Sequence, residues 1–293
     1  MQTQENHHLT TIIDALLPLL RAFCRGEYGI ALGGAHAKGV DDAESDIDLY
    51  VFTRDILPAE ARQQRCAAIP AITGITSWGN AGALVQAGTD FYYNGVKIEV
   101  WFRHIDYISG IIAECQRGIV KQELVTWTVM GFYNHCALSD LHYMHPLDDP
   151  FDVLAHWQTA VHHYPPQLRR AIIDRHMHAA QFWPNNFHYK SAVERGDSIY
   201  TCGIVQQVIH NLIQVIFALN EAYFPGDKKL NIALNHLSTK PERCVERIHN
   251  LLYPGADVGP PQLRHQRQTL VALTDEVAAL ATAIGDTTQS EVN

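Results

Sequence analysis

Apolar positions recur along this chain at two different periods, and the change of period divides it. Leu9, Ile12, Ile13, Leu16, Leu17, Leu20 and Phe23 fall at helical spacing, with Pro18 placed to kink that helix. Tyr28 to Leu32 is a short apolar run that ends at Gly33-Gly34, and Ile47 to Phe52 is a second; both predict strands. Pro58 to Ala68 reads as a helix with proline in its first turn. Phe91-Tyr92-Tyr93 and Val96 to Phe102 flank Asn94-Gly95. That dipeptide accepts positive φ at both turn positions, so the segment predicts a β-hairpin.

Beyond about residue 104 the strand signals fade and helical patterns take over. Helices are predicted over 107–117, 119–131, 151–163, 166–181, 198–223, 241–252 and 262–284. In 198–223, Val205, Val208, Ile209, Leu212, Ile213, Ile216 and Leu219 make one stripe, widened by Ile204, Val215 and Phe217. A helix apolar over so much of its surface belongs inside a bundle. Pro165-Pro166 and Pro260-Pro261 punctuate the series, and the polar tail from Thr287 to Asn293 reads as frayed. The expected class is α+β: an N-terminal domain over 1–135, with a small mixed sheet and flanking helices, then an all-helical bundle over 136–293.

Composition narrows the function. The chain has 293 residues, 47% hydrophobic and 18% charged, which is ordinary for a globular protein. Its net charge of −9 argues against long nucleic acid as a partner, because gripping a phosphate backbone calls for a basic surplus. No uninterrupted apolar stretch reaches the length of a membrane span, and the N-terminus has no basic or apolar segment of a secretion signal. The six cysteines are scattered without a C-x-x-C pair. Free thiols and a cytoplasmic location are expected. His142 with His145, His162-His163, and His176 with His178 lack the third ligand of a zinc site and read as surface or packed residues.

The chemistry concentrates in one stretch. Gly33-Gly34-Ala35-His36-Ala37-Lys38-Gly39 leads into Asp46-Ile47-Asp48-Leu49. Side chains alternate along a strand, so Asp46 and Asp48 share a face while Ile47, Leu49 and Val51 point to a core. Two carboxylates so placed repel each other and call for a cation; oxygen ligands at this spacing suit Mg²⁺. On the hairpin, Lys97, Glu99 and Trp101 share a face. If the strand of Glu99 pairs beside that of Asp46 and Asp48, three carboxylates converge, able to hold Mg²⁺ against a nucleoside triphosphate. The competing role for Glu99 is an ion pair with Lys97. Gly33-Gly34 lets backbone approach a phosphate, with His36 and Lys38 as nearby donors. Neither a P-loop nor a dinucleotide fingerprint fits, since Val40 follows Gly39 and the glycines run G-G-x-x-x-x-G.

Gly33-Gly34, Asp46-Ile47-Asp48-Leu49 and Glu99 together resemble the nucleotidyltransferase superfamily that includes DNA polymerase β and the aminoglycoside and lincosamide adenylyltransferases. The glutamate as third acid is similar to the antibiotic-modifying branch, where that residue is read as the base that activates the acceptor. Ala35-His36 departs from the small or hydroxyl residues frequent there. Further along, Glu194 to Asp197 and Tyr223 to Leu230 resemble the helical domain of small-molecule adenylyltransferases, which implies acceptor binding by Asp197 and nucleotide binding by Lys228 and Lys229. Helix capping by Asp197 and a solvated loop at Lys228-Lys229 are the competing roles. Trp101, beside Glu99, is placed to stack on an acceptor ring or a base. The resemblance implies transfer of AMP from ATP to a hydroxyl of a small acceptor such as an aminoglycoside or lincosamide, with Mg²⁺. Two alternatives keep the same site: transfer to a protein side chain or an RNA end, and nucleotide sensing without catalysis.

Overall fold

The computed structural model describes residues 2–79, 86–255 and 259–290, with side chains from 7 to 283 within those ranges. In chain order the elements are α1 (Gln2–Ala22), β1 (Tyr28–Leu32), α2 (Gly34–Lys38), β2 (Ile47–Thr53), α3 (Ala59–Ala67), β3 (Ile72–Gly79), β4 (Ala87–Tyr93), β5 (Val96–His104), α4 (Ile105–Gln116), β6 (Gln122–Glu123), β7 (Phe132–Tyr133), α5 (Cys136–Tyr143), β8 (His145–Asp148), α6 (Val153–Ala160), α7 (Pro166–Phe182), α8 (Phe187–Arg195), α9 (Ser198–Leu219), α10 (Leu230–His236), α11 (Cys244–Leu252) and α12 (Pro260–Ser290). They form an α+β chain with a mixed sheet and many helices.

Two compact units share these elements. The first comprises residues 1–114, 121–127 and 131–163; the second comprises 115–120, 128–130 and 164–293. The expected boundary at 135/136 therefore falls inside the first unit. The reason is β8, which pairs antiparallel with β1 and closes one edge of the sheet. Its Pro146 lacks a ladder donor and is tolerated because the strand lies at that edge.

The sheet of the first unit has the order β3-β4-β5-β2-β1-β8, with β2 and β5 parallel and the other neighbours antiparallel. One face is apolar. Ile30, Leu32, Ile47, Leu49, Val51, Phe91, Ile98, Val100 and Phe102 pack there with Ile12, Ile13, Leu16, Leu20 and Phe23 of α1, which runs on through Pro18. Phe23 meets Phe102 edge-on at 5.4 Å. Burying this face is the main source of stability in the unit. The same alternation forces Asp48, Tyr50, Glu99, Trp101 and Asp90 onto the opposite face.

Arg62 of α3 is the exception inside the apolar layer. Its guanidinium lies 4.6 Å from the centre of the Phe102 ring and has almost no exposure. It donates to the carbonyls of Leu57 (2.9 Å), Gly88 (2.5 Å) and Trp78 (2.7 Å) and to Thr89 Oγ1 (2.7 Å). Burial lowers its pKa from the ordinary value. The bonds to Trp78, Gly88 and Thr89 tie α3 to β3 and β4.

Segment 119–131 is not the helix that its apolar spacing predicts. Leu124 and Val129 are 85% and 71% exposed, so no core receives the stripe. Gly118 and Gly131 take positive φ, and β6 pairs with β7 instead. The other predicted helices form with shifted ends, and α12 continues through the expected frayed tail to Ser290. Residues 291–293 lie outside the described residues.

In the second unit, α9 packs with α7, α8, α11 and α12. Among the described residues it is the one helix long and apolar enough to cross a membrane, and 78% of that stretch is buried. None of the six cysteines forms a disulfide. His176 of α7 is buried against α9, with Nδ1 2.7 Å from Asn211 Oδ1; the Asn211 amide donates to the Gln207 carbonyl, which fixes His176 Nδ1 as the donor.

Two stability measurements test these packings. Removing the guanidinium by Arg62→Ala strands several buried carbonyls and should cost about 3 kcal/mol or more in urea unfolding; a loss below about 1 kcal/mol would contradict the stapling role. Burial lowers the His176 pKa to about 4. Between the unfolded value near 6.5 and about 4 the unfolded chain binds the extra proton, so stability is full above that range and is lost as pH falls through it. The contribution is on the order of 3 kcal/mol. Urea midpoints should fall from pH 7 to pH 4.5, with a shallower fall in His176→Gln. Equal slopes would rule out His176 as the cause.

Candidate functional site

The site begins where β1 runs out. Gly33 N–H donates to the Asp48 carbonyl at 2.9 Å, extending the β1–β2 ladder by one bond. Gly34 then turns with φ +58°, and its N–H donates to Tyr50 Oη at 3.1 Å. Two close approaches demand the glycine pair. A Cβ on Gly33 would sit 2.1 Å from the Tyr50 ring, and one on Gly34 would sit 1.6 Å from Asp48 Oδ2. Asp48 and Tyr50 thus lie directly against the turn. The two glycine N–H groups, expected to face a phosphate, both donate within the protein.

Strand pairing orders the face beyond the turn. The parallel register of β2 and β5 sets Asp48 beside Glu99, and the antiparallel register of β5 and β4 sets Glu99 beside Asp90. The three carboxylates occupy one row on adjacent strands, which lie about 4.8 Å apart. In the next row stand Tyr50, Trp101 and Gly88. Asp90 is the member that the sequence did not single out. The hairpin arithmetic contains it, because a turn that pairs Tyr93 with Val96 pairs Asp90 with Glu99. Burial, then the nearby Glu99 charge, raise the Asp90 pKa above its ordinary value. Asp90 Oδ2 accepts from Trp78 Nε1 at 3.4 Å, while its buried Oδ1 has no hydrogen-bond partner among the described residues.

Among the described residues, Lys97 is the cation paired with this acidic face. Lys97 Nζ donates to Glu99 Oε1 and stands 3.6 Å from Asp46 Oδ2. The Glu99 hydrogen bond is the main reason that the Lys97 pKa is raised. Among the described residues, no three His, Cys, Asp or Glu side chains gather into a group that could hold a metal ion. Of the acids expected to converge, Asp48 stands beside Glu99 in the ladder, and the Lys97 ammonium bridges Glu99 and Asp46.

Four of the other expected residues have partners of their own. His36 Nδ1 lies 3.4 Å from Asp41 Oδ2. Lys38 Nζ donates to Asp140 Oδ1 at 3.4 Å. Trp101 packs tilted against Tyr50 at 6.4 Å and edge-on to Trp127 at 5.7 Å. Asp197, Lys228 and Lys229 belong to the second unit. There Asp197 caps α9, its carboxylate accepting from Tyr200 N–H at 3.4 Å. Lys229 precedes α10 with φ +56°.

Farther along the same face lies a buried ionic cluster that the sequence did not reveal. Arg103 is fully buried; its Nη2 donates to Asp140 Oδ2 at 2.7 Å, and its guanidinium lies 4.9 Å from the Tyr50 ring centre and 5.5 Å from that of Trp101. Burial alone would raise the Asp140 pKa, but Arg103 and Lys38 outweigh it and hold the carboxyl below its ordinary range.

Comparison with known proteins adds three findings. Residues 136–230 match a family described as a domain of unknown function, DUF4037. Among solved structures, the chain is similar to a nucleotidyltransferase-like protein from Exiguobacterium sibiricum, with 10% sequence identity and a TM-score of 0.41, over 87% of this chain and 72% of that one. No curated protein sequence matches the chain.

Proposed function

We propose that this chain is a cytoplasmic nucleotidyltransferase that moves AMP from ATP to a hydroxyl of a small acceptor, in the manner of the aminoglycoside and lincosamide adenylyltransferases. The observation that carries the reading is the close approach of Gly34 to Asp48, next to Glu99 on the neighbouring strand. A turn without Cβ atoms lies against the strand that carries Asp48, with Asp46 just before it, and a third acid follows within reach of an acceptor.

The donor set fits Mg²⁺. All the acids are oxygen ligands, and a positive charge is already drawn to Asp46 and Glu99 in the form of Lys97. Mg²⁺ is commonly held by one or two carboxylates, with water and phosphate oxygens completing its shell, so a protein trio is not required. Asp46 and Asp48 would hold the ion. When bound, it neutralises phosphate charge and polarises the α-phosphate.

The chain's own residues do the rest. Glu99 takes the proton from the acceptor hydroxyl, whose oxygen bonds to the α-phosphorus as pyrophosphate leaves. Lys97 is poised to release Glu99 for that role and to meet the leaving charge. Trp101 lines the acceptor side, and His36 and Lys38 supply donors for the triphosphate. An acidic chain of net charge −9 suits an acceptor that carries amines.

The test is incubation with labelled ATP, Mg²⁺ and a panel of aminoglycosides and lincosamides. Labelled adduct and pyrophosphate should form, and Asp46→Asn or Asp48→Asn should lower the rate by at least about a hundredfold, as expected when charge-stabilising groups are removed. No transfer to any acceptor, with Asp46→Asn indistinguishable from wild type in nucleotide binding, would overturn the reading. Gly34→Ala should fold with reduced stability and lose nucleotide binding, because its methyl must displace the Asp48 carboxylate. Unchanged binding in that variant would separate the turn from the nucleotide.

A further inference from the structure

One carboxylate outside the acidic row is linked to the glycine turn by two routes. Asp140 lies on α5, and its side chain is only 12% exposed. Its Oδ1 accepts from Lys38, which sits one helical turn beyond Gly34 on α2. Its Oδ2 accepts from Arg103, whose guanidinium stacks over Tyr50, and the Tyr50 hydroxyl accepts from Gly34 N–H. Arg103 Nε and Nη1 are buried without hydrogen-bond partners among the described residues, so Asp140 is the carboxylate that compensates this guanidinium. A stabilising ion pair needs one cation; this one holds two, and the two bonds differ. The Arg103 contact is 2.7 Å with no exposure, whereas the Lys38 contact is 3.4 Å with the lysine 17% exposed.

We propose that Asp140 is a positioning residue for the nucleotide, a statement that rests on the function proposed above. It parks the Lys38 ammonium beside the Gly33–Gly34 turn and, through Arg103 and Tyr50, fixes the turn itself. When a triphosphate binds, Lys38 passes from Asp140 to a phosphate oxygen. Arg103 stays on Asp140, so the buried carboxylate is never left uncompensated, which is the costly state for a charge in the interior. The asymmetry of the two bonds decides which cation moves: the longer, partly solvated one.

The experiment uses the full chain with MgATP as the probe, measured by calorimetry, beside thermal melts. Asp140→Asn and Lys38→Gln should each weaken binding at least about tenfold. The double variant should bind within about twofold of the weaker single variant, because both changes break one coupled unit. Asp140→Asn that melts earlier yet binds MgATP within twofold of wild type would overturn the proposal, as would losses that multiply in the double variant. If Asp140→Asn does not fold, the wild-type chain still decides. Its lysines are ¹³C-dimethylated and the Lys38 resonance is assigned with Lys38→Arg. MgATP should shift that resonance, and a signal that does not move would overturn the proposal. Wild type that binds no MgATP sinks the nucleotide reading and this inference together; wild type that binds, with Asp140→Asn its equal, sinks this inference alone.

Discussion

Three carboxylates in one row across adjacent strands set the terms for everything around them. Asp48, Glu99 and Asp90 are held there by backbone pairing, so they cannot spread apart without breaking the ladder. The opposite face of the same strands is the apolar core, and a one-residue slip that relieved the charge would bury it instead. The core thus fixes the row, and the row must find positive charge. Lys97 supplies one ammonium, which it gives to Glu99 and Asp46. Asp90 responds with a raised pKa and an unpartnered oxygen. The acids on this face outnumber that ammonium, which is the electrostatic condition that a metal–nucleotide complex would relieve.

The polar layer next to the row has the reverse balance. Asp140 is one carboxylate between two cations, so Arg103 and Lys38 leave a surplus positive charge close to the glycine turn. A site that receives a polyanion on one side and a divalent cation on the other needs both imbalances, set a few residues apart. Under the proposed function they are how a chain of net charge −9 would accept a triphosphate. The charge that matters is local, and burial shields it from the rest of the surface.

The strongest sequence signals were those whose physics is local. Asn94-Gly95 specifies its hairpin through two backbone angles, and the alternation on Ile47 to Phe52 separates acids from core without reference to other strands. Asp90 was legible too, by counting outward from the turn. Segment 119–131 misled because its apolar spacing is real but meets no core. β8 was hidden because it contains Pro146 and runs into Asp149-Pro150, and only the free edge of β1 makes His145–Asp148 a strand. Asp140 was out of reach altogether, since its partners lie 37 and 102 residues away and nothing in its own neighbourhood marks it. Fold legibility followed contact range: short-range geometry could be read, and long-range compensation of charge could not.

The central claim is that the face bearing Asp46, Asp48 and Glu99 receives a nucleotide triphosphate with Mg²⁺ at the Gly33–Gly34 turn. A crystal structure with Mg²⁺ and a non-hydrolysable ATP analogue tests it most directly. The ion is expected on Asp46 and Asp48, with a phosphate oxygen against the turn and the Lys97 ammonium displaced from Asp46. An analogue bound elsewhere, with Lys97 still holding Asp46 and Glu99, would contradict it.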